Sequence, residues 1–122
     1  MKIAISSTGK DLESEVDARF GRCDYFMVVD TDTNEFEVID NTAISSEGGA
    51  GIKASQSVVD SGANAVITFH LGQNAADVLN EADIKILKAV SGDIENVVSK
   101  FISNQLEPLT EIHPGYHNHG GK

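Results

Sequence analysis

Apolar residues along this chain recur in two rhythms, that of strands and that of helices, and their order predicts the fold. Lys2–Ser6 alternates and runs into Ser6-Ser7-Thr8-Gly9, a strand followed by a polar turn. Residues 10–22 are charged and irregular, with a short helix expected near Leu12–Val16. Asp24–Asp30 encloses Tyr25, Phe26, Met27, Val28 and Val29, a continuous apolar run of strand length. Thr31-Asp32-Thr33-Asn34 is turn chemistry and Phe36–Ile39 resumes a strand, so the pair is expected to form an antiparallel hairpin.

After a polar loop, Asn41–Glu47, the glycines of Gly48-Gly49-Ala50-Gly51 open a helix that should run to about Ser61, with Gly62 as its stop. Ala65–Phe69 reads as a buried strand. Asn74 is expected to cap a second helix, in which Ala75, Val78, Leu79 and Ala82 recur at helical spacing. Ile84–Leu87 is a short last strand, and Ile94, Val97, Val98 and Phe101 make the clearest helical stripe in the chain. The pattern thus implies an α/β domain over residues 1–103, with a mixed five-stranded sheet whose second strand runs antiparallel. Residues 104–122 turn polar and are expected to form a flexible, histidine-containing tail.

Composition narrows the function classes. With 122 residues the chain fits one domain, and no apolar run approaches the roughly 20 residues of a spanning helix. Its start lacks the long apolar region of a signal peptide, and the single cysteine, Cys23, suits a reducing cytoplasm. A formal net charge of −10 argues against nucleic acid as partner, because phosphate backbones call for clustered Lys and Arg. Paired carboxylates for two-metal nuclease chemistry are absent from the first and fourth strands, Lys2-Ile3-Ala4-Ile5 and Ala65-Val66-Ile67-Thr68.

The strand order implies that the unusual loops meet at one sheet edge. If the second strand pairs antiparallel with the first, the segment around Arg22-Cys23, the loop at 41–51 and His70-Leu71-Gly72-Gln73-Asn74 all end there, with Lys88 to Gly92 beside them. Ligands of open α/β sheets bind outside the carboxyl ends of the parallel strands. Two helices begin at this edge, and helix N-termini favour anions. Arg19 and Arg22 offer further donors, with Lys53 and Lys88 nearby. Asp17, Asp24 and Glu47 share the region, so the alternative is that both arginines pair with carboxylates. Gly49-Ala50-Gly51-Ile52-Lys53-Ala54 matches G-x-G-x-x-A loosely. It does not follow its strand tightly and no acidic residue ends the next strand, so no nucleotide cofactor is expected. Cys23 beside Arg22 is either a stabilised thiolate or a small buried hydrophobe. His70, at a strand end, is a metal ligand, a proton donor or a loop hydrogen-bonder. His113, His117 and His119 form a weak candidate metal cluster in the tail.

Three stretches carry a family resemblance: Asp17-Ala18-Arg19-Phe20-Gly21-Arg22-Cys23-Asp24-Tyr25-Phe26, Gly49-Ala50-Gly51-Ile52-Lys53-Ala54, and Val66-Ile67-Thr68-Phe69-His70-Leu71-Gly72-Gln73-Asn74-Ala75. In this order they resemble the dinitrogenase iron–molybdenum cofactor biosynthesis family over roughly residues 1–103. The resemblance implies a ribonuclease H-like three-layer fold without nuclease residues. It also implies a non-catalytic carrier of an anionic metal–sulfur cluster or its precursor, built from molybdenum, iron or copper. A cofactor-assembly or recipient protein would be its partner, with neither nucleic acid nor membrane involved. Carried over by position, the cofactor-binding residues are Arg19, Phe20, Gly21, Arg22, Gly49, Gly51, Gly72 and Asn74, and the metal ligands Cys23 and His70. Phe69 and Gln73 stand where the family usually has Gly and Pro, which alters the path expected around His70. A cofactor-free regulatory module and an enzyme acting on a phosphorylated metabolite are the alternatives.

Overall fold

The computed structural model describes residues 1–42 and 48–112. The elements follow in the order β1 (Lys2–Ser7), β2 (Tyr25–Asp30), β3 (Phe36–Asp40), α1 (Ala50–Asp60), β4 (Ala65–Thr68), α2 (Gln73–Glu81), β5 (Lys85–Lys88) and α3 (Ile94–Ile102). One five-stranded sheet has the order β3-β2-β1-β4-β5. β2 runs antiparallel to both β1 and β3, while β1, β4 and β5 are parallel. This is the mixed α/β sheet that the alternation of strands and helices predicts.

Strand periodicity divides the core between two faces. Successive side chains of a strand point to opposite sides. Ala4, Phe26, Val28 and Val66 therefore face Ala54 and Val58 of α1 and Ala75, Ala76 and Leu79 of α2. Ile3, Ile5, Met27, Val29, Ala65 and Ile67 face the other way, onto Ile94 and Val97 of α3. Helices cover both faces, so β1 and β4 are buried on both sides and read as apolar runs.

Three local expectations are corrected. Residues Leu12–Val16 form no helix. Glu13 and Ser14 donate backbone N–H bonds to Asp11, and Val16 and Glu15 bridge to Ser7 and Asp93, so the backbone is committed to turns and cross-chain pairs. α2 is capped by Gly72 rather than Asn74, which lies inside the first turn. The stretch after Ser103 is anchored in its first part. Lys88 N–H donates to Glu107 (2.8 Å), Leu109 N–H donates to Ile86 (3.0 Å), and Leu109 is buried among the α1–α2 core residues. That segment closes the outer edge of β5, so the packed unit continues at least to Leu109. Most of the Asn41–Glu47 loop, with Glu47, and the three tail histidines His113, His117 and His119 lie outside the described residues. No helix among those described is long and apolar enough to cross a membrane.

Candidate functional site

Pairing sets the ends of all five strands at one edge. Ser7 faces Tyr25 and Tyr25 faces Asp40, while Thr68 faces Lys88. The segment between β1 and β2 crosses this edge. Asp17 N–H donates to Ser6 (2.9 Å), Ser6 Oγ donates back to Asp17 (2.8 Å), and Ser6 Oγ lies 3.0 Å from Thr68 Oγ1. These bonds tie the segment to the ends of the two central parallel strands. Two residues on, Arg19 forms a parallel backbone bridge with His70.

Asp17 is buried and Arg19 is exposed, yet they form one unit. The Asp17 carboxylate accepts the Arg19 backbone N–H (2.9 Å), Nε–H (3.1 Å) and Nη2–H (3.1 Å). The guanidinium pKa is raised above its ordinary value by those hydrogen bonds and by the Asp17 charge, with Asp24 adding to the same field. Phe20 then turns into the core, its ring centroid 5.0 Å from that of Phe26.

Gly21 is where the crossing segment meets α1. A Cβ at this position would stand 2.9 Å from both the Cα and N of Gly51. Backbone cannot yield as a flexible side chain can, so the approach requires glycine. Asn41, fully buried, donates through Nδ2 to the carbonyls of Gly21 (3.1 Å) and Cys23 (2.8 Å), pinning the turn from below. A Cβ on Gly51 would in turn lie 3.7 Å from Ala75 Cβ, so the starts of α1 and α2 are in contact.

A cleft of about 380 Å³ opens above this junction. Arg19, Phe20, Gly21, Arg22, Gly49, Gly51, His70, Gly72 and Asn74 all line it. Ile52, Leu71, Gln73 and Ala75, which lie within the sequence motifs but were assigned no binding role, complete the wall. For Ile52, Leu71 and Ala75 that role was hidden because an apolar residue near a helix start reads as core. The alternative that the arginines pair with carboxylates is met at Arg19, whose partner is Asp17, whereas Asn41 was not anticipated as an organising residue. Lys53 and Lys88 do not line the cleft.

Cys23 takes the other of its two readings. It is fully buried, packs in the core, lies outside the cleft wall and directs Sγ at the Phe20 carbonyl (3.2 Å). Burial, reinforced by the nearby Asp17 charge, pushes its thiol up to about 12. Buried behind the cleft wall, its Sγ is not presented to a ligand held there. Among the described residues no three His, Cys, Asp or Glu side chains are grouped to hold a metal ion. At the cleft the described donor set is a single imidazole, His70, rather than a chelate.

The two helix starts differ from the third. α1 begins at Gly49 (φ 74°) and α2 at Gly72 (φ −83°); among the described residues neither has a side-chain cap, and neither carries an acidic residue in its first turn. α3, whose start lies outside the cleft, is capped by Asp93 accepting from Asn96 N–H (2.8 Å) and carries Glu95 in its first turn. First-turn N–H groups have no intrahelical acceptor. At the cleft two sets of them, with their helix dipoles, are therefore offered side by side without a carboxylate on either first turn.

Comparison with known proteins places this architecture. The family profile described as dinitrogenase iron-molybdenum cofactor matches residues 1–104. An uncharacterised protein of Methanocaldococcus jannaschii is 31% identical over 110 residues, covering 88% of this chain and 90% of the relative. Among solved structures, the apo form of the orange protein from Desulfovibrio gigas superposes with a TM-score of 0.84 at 35% identity, covering 88% of this chain and 91% of that one. A Thermotoga protein described as a candidate NifB superposes with a TM-score of 0.80 at 37% identity, covering 91% and 95%.

Proposed function

Because the chain belongs to the dinitrogenase iron–molybdenum cofactor family, we propose that it is a non-catalytic carrier of an anionic metal–sulfur cluster or of a thiometallate precursor. The observation that carries this reading is the meeting of two glycine-opened helix starts, both without side-chain caps, in one cleft lined by Arg19, Arg22 and His70. Backbone N–H groups at a helix start bind anions without needing a charged side chain. Each such bond to a charged acceptor contributes on the order of 1.5–3 kcal/mol. Phe20, Leu71 and Ala75 give the same cleft an apolar lining suited to sulfide, which is less strongly hydrated than phosphate oxygen.

In this reading the cluster brings its own sulfur ligands and the protein holds it mainly through N–H donors. Arg19 and Arg22 orient the anion from one side and the starts of α1 and α2 from the other. His70 is the side chain placed to make a direct metal bond, and the sealed Cys23 is a core residue. A site built mostly of backbone donors, with at most one imidazole bond to metal, holds its cargo reversibly, which suits loading and delivery to an assembly or recipient protein. A relative described in an apo form accords with reversible loading.

The test is reconstitution. Purified protein and a version ending at residue 112, which removes the tail histidines, are incubated with tetrathiomolybdate alone or with iron or copper salts and then desalted. Both should retain colour and near-stoichiometric molybdenum by elemental analysis. A colourless, metal-free fraction from both would refute the carrier reading. Colour in the full-length protein only would assign binding to the tail.

A further inference from the structure

Asp17 is the one buried carboxylate among the described residues; it lies behind the cleft residue Arg19, and the binding described above does not use it. Its oxygens accept three bonds from Arg19, and its backbone is fixed at both N–H and carbonyl by Ser6. Asp17 is only 6% exposed, whereas the Arg19 side chain is 62% exposed and its residue lines the cleft. A pair exposed at both ends normally contributes little to stability. Burial of one partner and a three-point attachment mark a device for holding the other partner in place.

Its consequence concerns which anions fit. Arginine recognises phosphate and sulfate through two parallel N–H bonds from one edge of its fork. In Arg19 the edge formed by Nε and Nη2 is already occupied by Asp17. The carboxylate also offsets the guanidinium charge, so the pair brings an oriented donor to the cleft with little net positive charge. Compact, strongly hydrated dianions need that net charge to offset their desolvation, whereas a larger anion with diffuse charge loses less on leaving water. The apolar wall at Phe20 and Leu71 acts in the same direction.

We infer that Asp17 is the specificity-determining positioning residue of the cleft: by occupying the Nε–Nη2 edge of Arg19 and offsetting its charge, it disfavours phosphate- and sulfate-type oxyanions relative to diffuse sulfur-rich anions. This rests on the proposed function, since it presumes that the cleft binds anions at all.

The experiment titrates the full chain and three variants, Asp17→Asn, Arg19→Gln and the double variant, with tetrathiomolybdate followed by absorbance. Inorganic phosphate and sulfate serve as competitors at several ionic strengths. In the wild type phosphate should compete poorly. Asp17→Asn should improve phosphate affinity by at least about tenfold and make binding more sensitive to salt. The double variant restores a neutral pair and should lose that gain, which a merely distorted loop would not do. Arg19→Gln, which leaves the cleft more negative, should weaken both anions. Equal phosphate discrimination in a folded Asp17→Asn and the wild type would overturn the inference while leaving the carrier reading intact. Wild-type phosphate binding as tight as that of tetrathiomolybdate would overturn it as well. If Asp17→Asn does not fold, wild-type anion affinities in Arg19→Gln would be decisive against it. Absence of binding of either anion to the wild type would remove the carrier reading itself, and the inference with it.

Discussion

At the scale of single residues, the cleft depends on one close backbone contact and one sealed thiol. Gly21 approaches Gly51 so closely that an added methyl group would meet main-chain atoms at 2.9 Å. Gly21→Ala should therefore destabilise the fold by about 1–3 kcal/mol, the cost of overpacking against groups that cannot move aside. Urea denaturation gives the stability, and tetrathiomolybdate uptake should fall with it because the crossing segment is pushed off α1. Cys23 supplies a pH test. Its thiol is held near 12 in the fold against an ordinary 9.0, so the unfolded chain ionises first. The folded state then binds the extra proton, and stability should decline as pH rises from about 9 toward 12, by at most about 1.4 kcal/mol per pH unit. Below pH 9 this group should contribute no pH dependence. Denaturation midpoints of the wild type and Cys23→Ala, compared between pH 8 and 11, isolate that slope. In the same range a thiol reagent should modify the native protein far more slowly than the denatured one.

Individual elements show a division of labour among the helices. α3 has a conventional start, with Asp93 accepting the Asn96 N–H. Asp93→Ala should cost about 1 kcal/mol, the usual contribution of a cap, without changing anion uptake. α1 and α2 forgo that contribution at the cleft. Gly72 has an extended backbone (φ −83°, ψ 161°) that any cap residue adopts, and nothing would obstruct a Cβ there. Gly72→Asp should therefore fold and gain a few tenths of a kcal/mol. Its carboxylate would then compete for the N–H groups on offer, and thiomolybdate affinity should drop at least about tenfold. Equal affinity in Gly72→Asp and the wild type would count against binding at this helix start. A stability gain paired with a binding loss is the signature of a helix end kept open for a ligand.

Over the whole molecule, the topology gathers function at one end and closes an exposed edge elsewhere. The outer side of β5 is paired by the segment around Glu107–Leu109, and Leu109 enters the core. A chain ending at residue 103 should lose about 2 kcal/mol or more, the order of burying one leucine side chain. It should also associate through the uncovered strand, which light scattering would detect. A chain ending at residue 112 keeps both features and should match the parent in thermal melting.

Much of this was legible in one dimension. The stripe at Ile94, Val97, Val98 and Phe101 states a helix by its period, and the apolar runs at 25–29 and 65–69 state strands by their length and bounding turns. Strand direction followed from connection length: a short turn forces an antiparallel hairpin and a helical crossover a parallel pair. That was enough to bring Arg19, Gly49 and His70 to one edge. What it missed depends on neighbours distant in sequence. Leu12–Val16 gave up a helix because Ser7 and Asp93 took its backbone groups. Cys23 beside two arginines suggested a reactive thiolate, but sequence adjacency does not give depth, and the turn that exposes Arg22 buries the next side chain. Asp17 was one carboxylate among many until the fold closed Arg19 upon it.

The sequence by itself therefore determined the elements, their order, the sense of each pairing and the edge where the glycine and arginine segments meet. Tertiary structure alone decided which of those residues reach the cleft, which helix starts stay open and which charge is already cancelled. The first set follows from periods and chain connectivity, which are local. The second depends on burial and on hydrogen-bond partners distant in the chain, Ser6 and Thr68 at the cleft edge and Glu95 and Leu12 beside α3 among them, and exists only once the chain has closed on itself.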